Sequence, residues 1–200
     1  MKSIPKGAFG YTNAHKKRQL LKTILFFLLP IGIFVVGFLT TKTKENYFTI
    51  IAVVGSLPAC KELVNVCMFV KRRSMSKELY EEIKSHAGDM VTAYELVLTT
   101  YEKSYPVTAL VIAGSEVAGY TEAKEALDWK KAEEHMRTVL KNNGISRTHI
   151  HIFREKKQFL ERVDALARQG KEELPFEPDE RYPGYSREQV MREVLLALSI

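Results

Sequence analysis

Two apolar runs, separated by eight residues, constrain the first third of the chain more than any other feature. The first, Leu21–Leu39 (LKTILFFLLPIGIFVVGFL), carries one charge, Lys22, near its start. The second, Phe48–Val70 (FTIIAVVGSLPACKELVNVCMFV), follows after Thr40–Tyr47. A helix rises about 1.5 Å per residue, so each run is close to the roughly 20 residues that cross a ~30 Å hydrocarbon core. Pro30 would break a soluble helix, but membrane helices tolerate proline when neighbours satisfy the freed carbonyl. A polar stretch precedes the first run and no small-x-small cleavage site follows it before Lys42, so it reads as an uncleaved anchor. The short connection allows only a tight helical hairpin.

Charge divides the chain at the same place. Residues 1–73 hold twelve Lys/Arg against two acids, Glu45 and Glu62, whereas residues 74–200 hold eighteen against twenty-two, within an overall net charge of +6. The positive excess therefore flanks the apolar runs and does not sit on the polar two-thirds, which argues against a nucleic-acid partner. Lys16, Lys17 and Arg18 precede the first run, and Lys71, Arg72 and Arg73 follow the second. The loop has Lys42 and Lys44, offset by Glu45. The positive-inside rule then predicts a multi-pass protein of the cell membrane with both termini in the cytoplasm. Cys60 and Cys67 both lie in the second run and form neither a CxxC pair nor a disulfide framework.

Lys61 and Glu62 fall near the middle of the second run, with Asn65 one turn on. Charges at that depth usually face protein or water. These three form a predicted intramembrane polar site, either satisfied by neighbouring helices in an oligomer or used to hold an ion, a lipid headgroup or a partner's charge. Gly55 and Ala59 supply a small-xxx-small pair for close helix approach. A further alternative has Pro58 interrupting the span, so that Phe48–Leu57 inserts only partway.

The remainder reads as alternating elements. Ser76 caps a helix to Ala87, and Gly88–Asp89 breaks it. Tyr94–Tyr101 and Val107–Ala113 are β-rich runs around Glu102-Lys103-Ser104, a candidate hairpin. The pattern predicts a helix over Glu122–Asn142 with Thr121 as its cap. It then predicts a strand at Thr148–Phe153, a helix over Lys156–Gln169, and a linker with Pro175, Pro178 and Pro183. A last amphipathic helix follows Ser186, whose capping-box partner is Gln189. The expected fold is α+β: a transmembrane helical hairpin followed by a small cytosolic α/β sandwich, order α-β-β-α-β-α-α. The expected segments are 1–19 (cytosolic), 20–73 (hairpin), 74–170 (α/β domain) and 171–200 (linker and final helix).

An extra strand at Glu116–Tyr120 would make the core α-β-β-β-α-β, an order that resembles the restriction-endonuclease-like fold. That family's metal site needs an acid on the second core strand and Glu-x-Lys on the third. Val107–Ala113 has no acid and Glu116 is followed two residues on by Ala118, so the likeness is one of topology alone. Gly114–Thr121 sits where a phosphate loop would sit, but Tyr120 takes the place of its lysine. His149 and His151 share a strand face and form a candidate metal pair, with His135, Glu133 or Glu134 as a third ligand, although no regular ligand spacing joins them. The alternative is the polar face of a half-buried strand, with Ile150 and Ile152 inward. No nucleophile elbow is present, and no catalytic residue or cofactor is nominated.

Ile4–Tyr11 (IPKGAFGY), Ile51–Lys61 with its LPACK, Leu98–Val107 (LTTYEKSYPV) and Val111–Thr121 (VIAGSEVAGYT) resemble stretches of small two-span membrane proteins of clostridial, Gram-positive bacteria. The likeness covers most of residues 1–169. It implies bacterial origin and membrane location, and carries over no catalytic residue. The expected function is that of a non-enzymatic, membrane-anchored interaction or regulatory domain, acting as a homo-oligomer or with a membrane-protein partner. The rivals are a tethered enzyme with a metal or acid-base site, and a transport or channel accessory subunit.

Overall fold

The computed structural model describes residues 4–70, 74–100, 103–169, 176 and 181–199. The basic flank Lys71–Arg73, the turn residues Tyr101 and Glu102, Gly170 and the linker prolines Pro175 and Pro178 lie outside the described residues. The chain forms two compact units, one built from Gly10–Ser74 and the other from Ile4–Phe9 together with Met75–Ile200.

The first unit is a pair of helices, α1 (Tyr11–Thr41) and α2 (Tyr47–Val70). α1 begins ten residues before the apolar run, after Gly10 in a left-handed conformation at φ 80°. Both helices continue through their prolines, Pro30 and Pro58, so the partial-insertion alternative finds no break at Pro58. Threonines inside α1 turn their hydroxyls onto the preceding turn: Thr23 to the Gln19 carbonyl at 2.9 Å and Thr41 to Gly37 at 2.8 Å. Such back-bonding needs no water. Lys42 at φ 53° ends α1, and the Asn46 side-chain oxygen accepts the Thr49 amide at 2.9 Å to open α2.

Buried positions recur every seven residues on both helices: Thr23, Pro30 and Gly37 on α1, and Ala52, Ala59 and Val66 on α2. A seven-residue repeat of small side chains is the pattern of a left-handed, closely approached helix pair. The expected Gly55–Ala59 pair is corrected by half: Ala59 is fully buried, while a Cβ at Gly55 would meet nothing within 4 Å. Most of the large apolar side chains point outward. Leu25, Leu29, Leu39 and Leu57 are each more than 60 % exposed, and only 17 % of each helix's most apolar stretch is buried. Both helices are long and apolar enough to cross a membrane.

The second unit is a three-layer α/β/α sandwich. Its elements are α3 (Lys77–Ala87), β1 (Val91–Thr99), β2 (Ser104–Ala113), β3 (Glu116–Tyr120), α4 (Trp129–Asn142), β4 (His149–Phe153), α5 (Lys156–Gln169) and α6 (Arg187–Ala197). The sheet runs β1-β2-β3-β4, antiparallel except for the β3–β4 pair. The domain thus has one strand more than the order α-β-β-α-β-α-α; the additional strand is Glu116–Tyr120. Two cores form on opposite faces. α4 and α6 cover Leu110, Ile112, Val117, Ile150 and Ile152, while α3 and α5 cover Tyr94, Ala109, Val111, Ala118 and Tyr120.

α4 starts seven residues later than its periodicity predicts. Thr121 does not cap it. Its hydroxyl donates to the Pro106 carbonyl at 2.7 Å and accepts the Ala123 amide at 3.1 Å, and the Glu122 amide goes to the Thr108 hydroxyl. These local bonds compete with helix hydrogen bonds and hold the chain extended. Elsewhere the caps act as expected: Ser76 accepts the Leu79 amide, and Ser186 with Gln189 forms a complete capping box.

Both edges of the sheet are occupied. On β1, the Tyr94 amide donates to the Gly7 carbonyl at 2.8 Å, Arg192 Nε to the Thr92 carbonyl at 3.0 Å, and the Thr99 amide to the Leu198 carbonyl at 3.2 Å. On β4, the outward Ile152 amide donates to the Glu133 carboxylate at 2.7 Å. Open edges invite strand addition, and here side chains and terminal segments block it. Midway along β1, buried Glu95 takes φ 55° and accepts the Met75 amide at 3.1 Å. Side-chain alternation slips there, so Leu96 and Leu98, opposite Val107 and Tyr105, turn onto the α4–α6 face.

Candidate functional site

The polar group on the hairpin is assembled from both helices. Glu62 on α2 receives Lys22 Nζ at 2.9 Å and the Gln19 side-chain amide, both from α1, and Asn65 adds a further hydrogen bond. Lys61 points away from this group: it is exposed, with no hydrogen bond or ion pair among the described residues. The structure therefore joins Glu62 and Asn65 and separates Lys61 from them.

Gly37 packs against Phe48 at one end of the hairpin, and Lys22 meets Glu62 at the other. Fifteen residue steps of α1 and fourteen of α2 separate these levels, roughly 22 and 21 Å of helix. The last turn of α1 adds about 6 Å. The apolar slab so bounded approaches the ~30 Å of a hydrocarbon core. Glu62 thus lies level with Lys22, at the far end of this stretch from the Gly37–Phe48 contact.

The second group lies along β4, the last strand of the sheet. Parallel pairing sets His149 beside Glu116 and His151 beside Ala118. His149 and His151 are exposed while Ile150 and Ile152 are buried, the alternation expected of this strand. A cavity of about 340 Å³ includes Glu116, His149 and His151 in its wall, together with Arg137 of α4 and Arg162 of α5. Arg162 forms an ion pair with Glu116. His151 Nδ1 lies 3.2 Å from the Glu133 carboxylate, the same oxygen that receives the Ile152 amide.

His135 does not join this group. It lies two residues from Glu133 on α4, on a different face of the helix, and is not part of the cavity wall. Among the described residues no three His, Cys, Asp or Glu side chains come together as a metal set. The arginines were missed in sequence. Arg137 stands at i+4 from Glu133, so that α4 face was legible, but Arg162 reaches Glu116 only through the packing of α5 on β3.

No family model, curated protein or solved structure matches the chain. Its chemistry is argued from these side chains alone.

Proposed function

We propose that the chain is a membrane-anchored interaction or regulatory protein. The hairpin crosses the bilayer twice, the hydrocarbon lies between the Lys22–Glu62 level and the Lys42–Asn46 turn, and the α/β domain works on the cytosolic side. One observation carries this reading: two adjoining helices bury only small side chains between them and expose nearly all their large apolar ones. A contiguous apolar surface of that kind is rare on soluble monomers. The basic residues Lys16, Lys17 and Arg18, with Lys71–Arg73 on the other flank, support cytosolic termini. The occupied sheet edges favour partner recognition through side-chain surfaces over strand addition. The domain serves a membrane partner or a second copy of the chain, and the likeness to two-span clostridial proteins fits a bacterial membrane.

The two native thiols test the placement, because both are free and exposed and they bracket Glu62. In inside-out membrane vesicles, a membrane-impermeant maleimide labels Cys67 and leaves Cys60 protected. Labelling of both thiols, or labelling from outside the cell, overturns the arrangement.

A further inference from the structure

The domain of residues 74–200 is net acidic, yet its β4 edge is not. The stretch from Arg147 to Arg154 holds two arginines and two histidines and no acid. Arg137 and Arg162 approach the same cavity from helices on opposite faces of the sheet. The two nearby carboxylates are already engaged: Glu116 by Arg162, and Glu133 by the Ile152 amide and His151. The side chains of Arg137 and His149 make no hydrogen bond or ion pair among the described residues.

We propose that this cavity binds a phosphate group. Guanidinium forks from two directions and an imidazole on the strand between them offer donors to several oxygens of a tetrahedral anion at once. Glu116 would repel such a ligand if it stood alone, but its ion pair with Arg162 offsets that charge and holds the guanidinium at the cavity wall. The volume of about 340 Å³ falls in the range of small-molecule sites and exceeds what a lone anion needs, so the phosphate belongs to a larger molecule. That molecule is a soluble phosphorylated compound or a phospholipid headgroup.

The test uses the full chain in nanodiscs of zwitterionic lipid, titrated with inorganic phosphate and pyrophosphate at constant ionic strength. Imidazole NMR signals and the thermal midpoint are the readouts. Saturable binding is expected, with the His149 signal moving most. Arg137→Gln weakens it roughly tenfold, the loss of one charge-assisted hydrogen bond, without lowering the midpoint of the unliganded protein. Lys130→Gln, which removes the same charge from α4 outside the cavity wall, leaves binding unchanged. Absence of saturation, or equal effects of the two substitutions, overturns the site. In nanodiscs containing phosphatidic acid, competition with pyrophosphate assigns the phosphate to a lipid, and its absence assigns it to a soluble ligand; both uphold the site. The inference is independent of the membrane reading: a chain that stayed in solution without detergent would sink that reading and leave this titration intact.

Discussion

Lys22 and Glu62 are forty residues apart in sequence and 2.9 Å apart in space. The pair ties α1 to α2 at the boundary where the apolar run of α1 begins. Removing one member leaves the other on an apolar helix surface without its counter-charge, which is worse than removing both. Glu62→Leu alone therefore destabilises the hairpin, and adding Lys22→Leu to it restores part of the loss. A double-mutant cycle on unfolding in micelles checks this, and strictly additive effects would show that the pair is not coupled.

Two glycines in α1 separate packing from helix propensity. A Cβ at Gly37 would collide with the Phe48 Cβ, whereas one at Gly32 meets nothing within 4 Å. Gly37→Ala is expected to cost about 1–3 kcal/mol of hairpin stability as an overpacked contact. Gly32→Ala, by propensity, is neutral or stabilising by up to about 1 kcal/mol. Equal effects of the two would contradict the Gly37–Phe48 contact.

The segment Ile4–Phe9 belongs to the α/β unit. Phe9 stacks on Tyr80 at 4.4 Å, and Lys6 donates to the Ser199 carbonyl. Gly7 sits at φ 79° with Leu196 Cδ2 only 2.6 Å from where a Cβ would stand. Gly7→Ala combines backbone strain with a clash and should cost about 1–3 kcal/mol. Chemical denaturation followed by the fluorescence of Trp129 measures it. An unchanged midpoint would mean that the segment is not held.

Alkaline stability follows two phenols. Burial pushes Tyr94 above its ordinary 10.0, against a hydrogen bond from Thr92, and burial also raises Tyr120, helped by Glu122 and Glu82. The folded state keeps these protons longer than the unfolded state. Their stabilisation is complete below pH 10.0 and is lost as pH rises through the folded values. Lys6 acts oppositely: burial lowers it from 10.5, so stability gains with pH between its folded value and 10.5. Tyr94→Phe and Tyr120→Phe should each flatten the fall of the denaturation midpoint above pH 10.0.

Much of this fold was legible because local signals agreed with packing. The caps at Ser76 and Ser186 and the apolar faces of α5 and α6 specify their helices at close range. Where the reading went astray, a distant partner decided. Thr121 reads as a helix cap until Pro106 and Thr108 claim its neighbourhood from another strand. The left-handed Glu95 has no sequence mark at all, since glutamate rarely takes that conformation and does so here against Met75. In the hairpin, the small-residue spacing was visible, but which small residues face inward depends on the partner helix, and Gly55 was chosen where Ala52 packs. The histidine pair on β4 was visible for the same reason as the strand itself. The arginines around it come from two helices that only the tertiary fold brings together.

Lys6 and Ser199 are 193 positions apart, so the first described turn of the chain is fastened to its last. During synthesis the amino-terminal strap emerges first, and its carbonyl acceptor on Ser199 becomes available only after all the residues between them have been made. Until then the β1 edge lacks its contact with Leu198 and the domain is incomplete, while both apolar helices have already been made. Synthesis of the hairpin thus precedes closure of the domain, and a chain cut before Ser199 would lose the fastening of Lys6.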